Sequence, residues 1–81
     1  MRFSVLVEVR LREGIADPQG STIERSLPTL GFDGIEDVRV GKAIRFHVDA
    51  DDEGSARGRV EELCKRFLTN PVIEHFAVTL S

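Results

Sequence analysis

Residues 2–11, RFSVLVEVRL, alternate between apolar and polar with a period of two. Phe3, Val5, Val7, Val9 and Leu11 fall on one face and Ser4, Leu6, Glu8 and Arg10 on the other, as in a strand with one strongly apolar side. The period then lengthens. After REGIADPQG, Ile23, Leu27 and Leu30 recur at i, i+4 and i+7, which predicts a helix stopped by Gly31. Asp17 has the character of an N-cap, because its carboxylate can accept from the free N–H groups of the first turn. Pro18 then takes the first helical position, where its missing N–H is not needed. Gly20 fits less well. A first-turn glycine lowers helix stability by up to ~1 kcal/mol relative to alanine. Its presence predicts that another backbone or a ligand lies close, with a partner subunit as the expected neighbour of Gln19 and Gly20. Pro28 falls late in this helix and should kink or shorten it.

Period two returns over Ile35–Val40 and again over Ile44–Val48, with Gly41-Lys42 between them. A two-residue hairpin there would set Val38 opposite Arg45 and Val40 opposite Ala43, mixing the faces. Pairing Val38 with Phe46 and Val40 with Ile44 instead requires an odd-length loop or a bulge, and that register is the expected one. DADDEG follows, with acids at Asp49, Asp51, Asp52 and Glu53 before a second helix whose apolar stripe is Ala56, Val60, Leu63, Cys64 and Phe67. Glu61–Lys65 and Glu62–Arg66 are i,i+4 pairs in the favourable order and mark its solvated side. Asn70-Pro71 ends that helix, and a last strand over Val72–Leu80 puts Phe76, Val78 and Leu80 on one face.

The predicted order is βαββαβ, an α+β ferredoxin-like domain spanning residues 1–81: two helices on one face of a four-stranded antiparallel sheet. The other face would carry Ser4, Leu6, Glu8, Arg45, His47, His75, Ala77 and Thr79. That mixture is too apolar for a purely solvated surface and suits a subunit interface. Length supports the same expectation. A chain of 81 residues buries only about 60–65% of its unfolded surface, so association would supply missing burial.

Composition removes several function classes. There are 14 acidic against 11 basic side chains, nine of the latter scattered arginines, so no basic face is available for nucleic acid. The aromatic positions agree, since Phe3, Phe46 and Phe76 belong to the inner face and none lies on the open one for stacking on bases. No apolar run reaches membrane-spanning length and no signal-peptide pattern opens the chain, so the expected setting is the cytoplasm. The lone Cys64 lies on an apolar helix stripe and reads as core rather than nucleophile. His47 and His75 lack a third ligand. The acids of 49–53 lack calcium-loop spacing and suit a helix start. GSARG and GFDG are not phosphate loops. Nucleophile, base and oxyanion donors never come together, so no catalytic residue, metal or cofactor is expected in this chain.

Three stretches carry a family resemblance: DPQG at 17–20, GIEDVRVGK at 34–42 and LTNPVIEHF at 68–76. In this order, across essentially the whole chain, the sequence resembles PurS, the small subunit of three-part phosphoribosylformylglycinamidine synthase. The resemblance implies a non-catalytic dimeric bridge in purine biosynthesis. Its partners would be a glutaminase that releases ammonia and a large synthetase that uses it, with ATP and magnesium, on formylglycinamide ribonucleotide. By position it assigns Asp17, Pro18, Gln19, Gly20, Arg39, Gly41, Lys42, Asn70 and Glu74 to partner contacts, beside Val38, Val72 and Ile73. Two other readings share the topology. A small-molecule-sensing regulatory domain would bind ligand between subunits. An acylphosphatase-like hydrolase would need an arginine-based anion cradle after the first strand, where Glu13 and Asp17 stand instead.

Overall fold

The computed structural model describes all residues, 1–81, and its elements follow the predicted order with one omission. Strand β1 (Arg2–Leu11) leads to helix α1 (Pro18–Ser26), strand β2 (Lys42–Asp49), helix α2 (Glu53–Leu63) and strand β3 (Glu74–Leu80). The sheet is antiparallel and three-stranded, ordered β2-β1-β3. Val5 lies opposite Phe46 and Leu80, and Val7 opposite Ile44 and Val78, so these apolar positions share one face. The predicted outer face is also recovered, with Ser4 opposite His47, Leu6 opposite Arg45 and Thr79, and Arg10 opposite His75.

The core lies where α2 crosses β1. Val5, Val7, Val9, Ala56, Val60 and Cys64 are buried, and Ile44, Phe46, Val48, Phe76, Val78 and Leu80 on the flanking strands are only half-covered. Asp52 starts α2 by accepting the Ser55 N–H at 2.7 Å, which accounts for the acidic run as capping. Arg57 and Arg59 pin the helix to the sheet through the Val78 and Asp49 carbonyls. Beyond Leu63 the helix widens into a π-type turn over Cys64–Leu68, closed by the Thr69 N–H on the Cys64 carbonyl at 3.0 Å. The extra residue rotates the stripe. Phe67, expected in the core, is 81% exposed, Leu63 is exposed as well, and Leu68 packs inward instead. Of the two expected ion pairs only Glu62–Arg66 closes, at 3.6 Å.

Two expectations need correction. Ile35–Val40 is not a strand of this chain's sheet, and no Gly41-Lys42 hairpin forms in either register. Gly34 and Asp37 hold positive φ angles of 81° and 60°, which interrupt an extended run. The N–H groups of Val38 and Val40 go to carboxylates on and before α1 rather than to β2. Second, α1 contributes nothing to the core, so a single helix, α2, covers the inner face within one chain. As expected, Pro28 shortens the first helix: α1 stops at Ser26, a 3₁₀ turn spans Pro28–Leu30, and Gly31 turns the chain at φ 92°. Residues 12–41 therefore form an arm that leaves the sheet. The molecule measures 52 × 25 × 15 Å with a radius of gyration of 16.4 Å, against about 12 Å for a compact chain of this length.

Candidate functional site

The arm is organised around Asp17. Its Oδ1 accepts the Gly20 N–H at 2.9 Å, and its Oδ2 accepts the Val40 N–H at 2.7 Å. One carboxylate thus caps α1 and fastens that helix to the segment preceding β2. Arg39 adds a long ion pair to Oδ2 at 4.0 Å and donates from Nη2 to the Ile15 carbonyl at 3.1 Å. The Gly20 bond, then the Val40 bond, hold the Asp17 carboxyl below its ordinary value of 3.8 despite the opposing effect of burial. A second tie runs from the Val38 N–H to Glu24 Oε1 at 3.0 Å.

This geometry also explains Gly20. A Cβ at that position would stand 2.3 Å from the Val38 carbonyl oxygen and 2.8 Å from Asp17 Oδ2. Another backbone does lie against the glycine, as its placement predicted, but within this chain it is the chain's own. Gly41 shows a similar approach, since a Cβ there would meet the Val9 carbonyl oxygen at 2.6 Å. Pro18 and Gln19 face outward beside Thr22, Ile23 and Val40, forming a shallow, largely apolar groove on the arm.

The third stretch closes on itself. Asn70 Oδ1 accepts the Val72 N–H, and Glu74 Oε1 accepts the Asn70 N–H at 2.7 Å. Arg12, just after β1, ties this turn to the sheet through the Pro71 and Ile73 carbonyls. The first two stretches are therefore tied to each other on the arm, and the third sits at the end of the sheet where the arm departs. A cleft of about 780 Å³ opens there, with Glu8, Arg10, Glu13, Arg39, Lys42 and His75 among its walls. Arg10, Lys42 and His75 form no ion pair in the chain.

Sequence reasoning missed Glu24. Its bond to the Val38 N–H spans 14 residues and depends on which loops cross, which neither periodicity nor spacing encodes. His47 and His75 do not converge, because six β1 positions separate their partners Ser4 and Arg10, about 20 Å of strand. No group of three His, Cys, Asp or Glu side chains is arranged to hold a metal, and no helix is long and apolar enough to cross a membrane. Burial pushes the Cys64 thiol above its ordinary value, which disfavours the reactive thiolate.

Residues 4–81 match the family described as PurS: Phosphoribosylformylglycinamidine (FGAM) synthase. The PurS subunit of Methanothermobacter thermautotrophicus is 38% identical over 81 residues, covering 100% of this chain and 95% of that protein. The Bacillus subtilis subunit is 34% identical over 74 residues, covering 91% and 87%. Among solved structures, the purS subunit from Thermotoga maritima superposes with a TM-score of 0.91 at 33% identity, covering 100% of this chain and 93% of that one. A chain of the PurLQS structure from the same organism gives 0.92 at 32%, covering 100% and 99%.

Proposed function

The chain belongs to the PurS family, and from that membership we propose that it serves as the non-catalytic bridging subunit of phosphoribosylformylglycinamidine synthase. In this reading a homodimer of the chain joins a glutaminase to a large synthetase in the cytoplasm. Ammonia released from glutamine passes to formylglycinamide ribonucleotide, which becomes the amidine. ATP and magnesium belong to the synthetase, and this chain holds neither.

One observation carries the reading. DPQG is tied to VRVGK through Asp17, NPVIE closes on itself beside Arg12, and the polar groups of all three are spent on holding backbone rather than posed for reaction. Asp17 is engaged by two N–H donors, Arg39 by a carbonyl and Glu74 by the Asn70 N–H. Such a site presents a shaped surface, with Pro18, Gln19, Gly41, Lys42 and Asn70 exposed on it. Contact with the two catalytic subunits is assigned to this surface.

Reconstitution with the cognate glutaminase and synthetase tests the proposal. Glutamine-dependent synthesis should require this chain, whereas synthesis from free ammonia by the synthetase should not. Equal glutamine-dependent rates with and without the chain would overturn the bridging role. A melting-temperature rise with amino acids or nucleotides, in the absence of both subunits, would favour the sensing alternative.

A further inference from the structure

We propose that the cleft at the end of the sheet binds the phosphate group of a small sugar phosphate. Its donors are the side chains of Arg10, Lys42 and His75 and the backbone N–H groups of Gly14 and Gly41. Binding here concerns the chain by itself and does not depend on the bridging role.

Charge is the first ground. The chain carries a net charge of −3, yet Arg10, Arg39 and Lys42 line this one cleft together with His75. On the outer face Arg10 stands directly opposite His75 rather than opposite a carboxylate, although opposite charges are the pairing that stabilises a sheet. Arg39 is already engaged by the Ile15 carbonyl and, at 4.0 Å, by Asp17. Arg10 and Lys42 form no ion pair, even with Glu8 and Glu13 in the same walls. A bound anion would supply the charge that the chain withholds.

Backbone donors point to the same class of ligand. Gly14 is the third residue of a turn closed by the Ile15 N–H on the Arg12 carbonyl at 3.2 Å, and its φ of 83° is the one such a turn reserves for glycine. Neither the Gly14 N–H nor the Gly41 N–H has an acceptor in the chain. Free N–H groups at such turns make anion-binding concavities. Gly41 also fits its place by lacking a side chain. A Cβ there would stand 2.6 Å from the Val9 carbonyl oxygen and 3.5 Å from Arg10 Cγ, so the bare backbone lies along the arginine stem. At Gly14 a Cβ would meet nothing within 4 Å, which leaves that side of the cleft open to a ligand.

The acidic walls narrow the class. Glu8 and Glu13 repel a phosphate but accept hydrogen bonds from hydroxyls, as the acidic residue of dinucleotide-binding folds does from ribose. Glu8 lies two residues from Arg10 on the same face of β1, about 7 Å along the strand. One small molecule can therefore set its phosphate against the cations and its hydroxyls against the carboxylates. The cleft volume of about 780 Å³ falls within the range of small-molecule sites, about 300–1,000 Å³.

Titration of the full chain, followed by amide NMR in low-salt buffer, tests the site with three probes. Ribose 5-phosphate should give saturable shifts at Gly14 and Gly41 with one site per chain. Inorganic phosphate should shift the same amides more weakly, and ribose should shift neither. Arg10→Gln and Lys42→Gln, both at exposed positions, should each weaken ribose 5-phosphate about tenfold or more, the scale of a charge-assisted hydrogen bond. Arg45→Gln, on the outer face but outside the cleft, should leave it unchanged. Absence of saturable shifts at both glycines overturns the site, and so does undiminished binding by Arg10→Gln. Inorganic phosphate binding as tightly as ribose 5-phosphate overturns the sugar phosphate as ligand. Sedimentation should not change on binding; a ligand-induced change in oligomeric state would place the ligand between subunits and overturn a site held by one chain.

Discussion

Gly20 sets two effects of different size against each other. Alanine is the better helix former by up to ~1 kcal/mol, and less in a first turn. Its methyl group would stand 2.3 Å from a backbone carbonyl that cannot rotate aside. Overpacking of this kind costs about 1–3 kcal/mol, so the clash prevails. Gly20→Ala should lower stability in a denaturant melt, and a leucine there should lower it further. Asp17 gives a second residue-scale expectation, in pH. Hydrogen bonds to its ionised form hold its pKa below 3.8, so its contribution is complete above the ordinary carboxylate range and fades as pH falls through the lowered value. Amide exchange at Gly20 and Val40, corrected for intrinsic rate, should therefore quicken in acid while Val7 stays protected. Ser55, capped by Asp52, whose pKa is likewise lowered chiefly by the Ser55 backbone bond, serves as a control outside the arm. Should Val40 prove indifferent to acid, Asp17 does not fasten the arm.

At the scale of elements, the π-type turn changes which side chain supports the core. Leu68→Ala should cost about 1–2 kcal/mol, less than the about 2–5 kcal/mol of a fully buried leucine because Leu68 is half-buried, while Phe67→Ala should stay within about 0.5 kcal/mol. Thermal melts of the two variants check the order, and the reverse order would restore the regular helix. The turn was not legible, because strict 3.6-residue spacing from Ala56 through Val60 and Cys64 leads to Phe67. A widened turn depends on the Thr69 and Cys64 backbone groups, which carry no sequence signature. The strands were far more legible. Their period of two survives any twist of the sheet, so the inner and outer faces of β1, β2 and β3 could be read residue by residue. Ile35–Val40 shows where that reading stops: it has the alternation of a strand, but positive φ at Asp37 interrupts the extended run and the Val38 and Val40 N–H groups go to Glu24 and Asp17. The face conflict in a two-residue Gly41-Lys42 hairpin is nevertheless plain from the order of residues alone. The candidate site was legible in part. Asp17 as a cap followed from the residues themselves, and Arg39, Gly41 and Lys42, singled out by family resemblance, line one cleft, whereas the bond from Val40 to Asp17 crosses 23 residues and could not be read.

For the whole molecule, the homodimer proposed for this chain has a consequence in size. The single chain has a radius of gyration of 16.4 Å because its arm projects. Compact-domain scaling gives about 15 Å for two such chains packed as one body. A homodimer that covers both arms should therefore be no larger in radius of gyration than one extended chain. A homodimer joined through the outer faces, with Leu6, Ala77 and Thr79 in contact, leaves both arms projecting and must exceed 16.4 Å, because each chain's centre is then displaced from the common centre of mass. Small-angle scattering on the sedimented dimer separates these arrangements without any mutation. The arms carry Pro18 and Gln19, so a radius above that of the single chain would leave the DPQG surface free for the catalytic subunits, whereas a smaller one would mean that the second copy covers part of the arm.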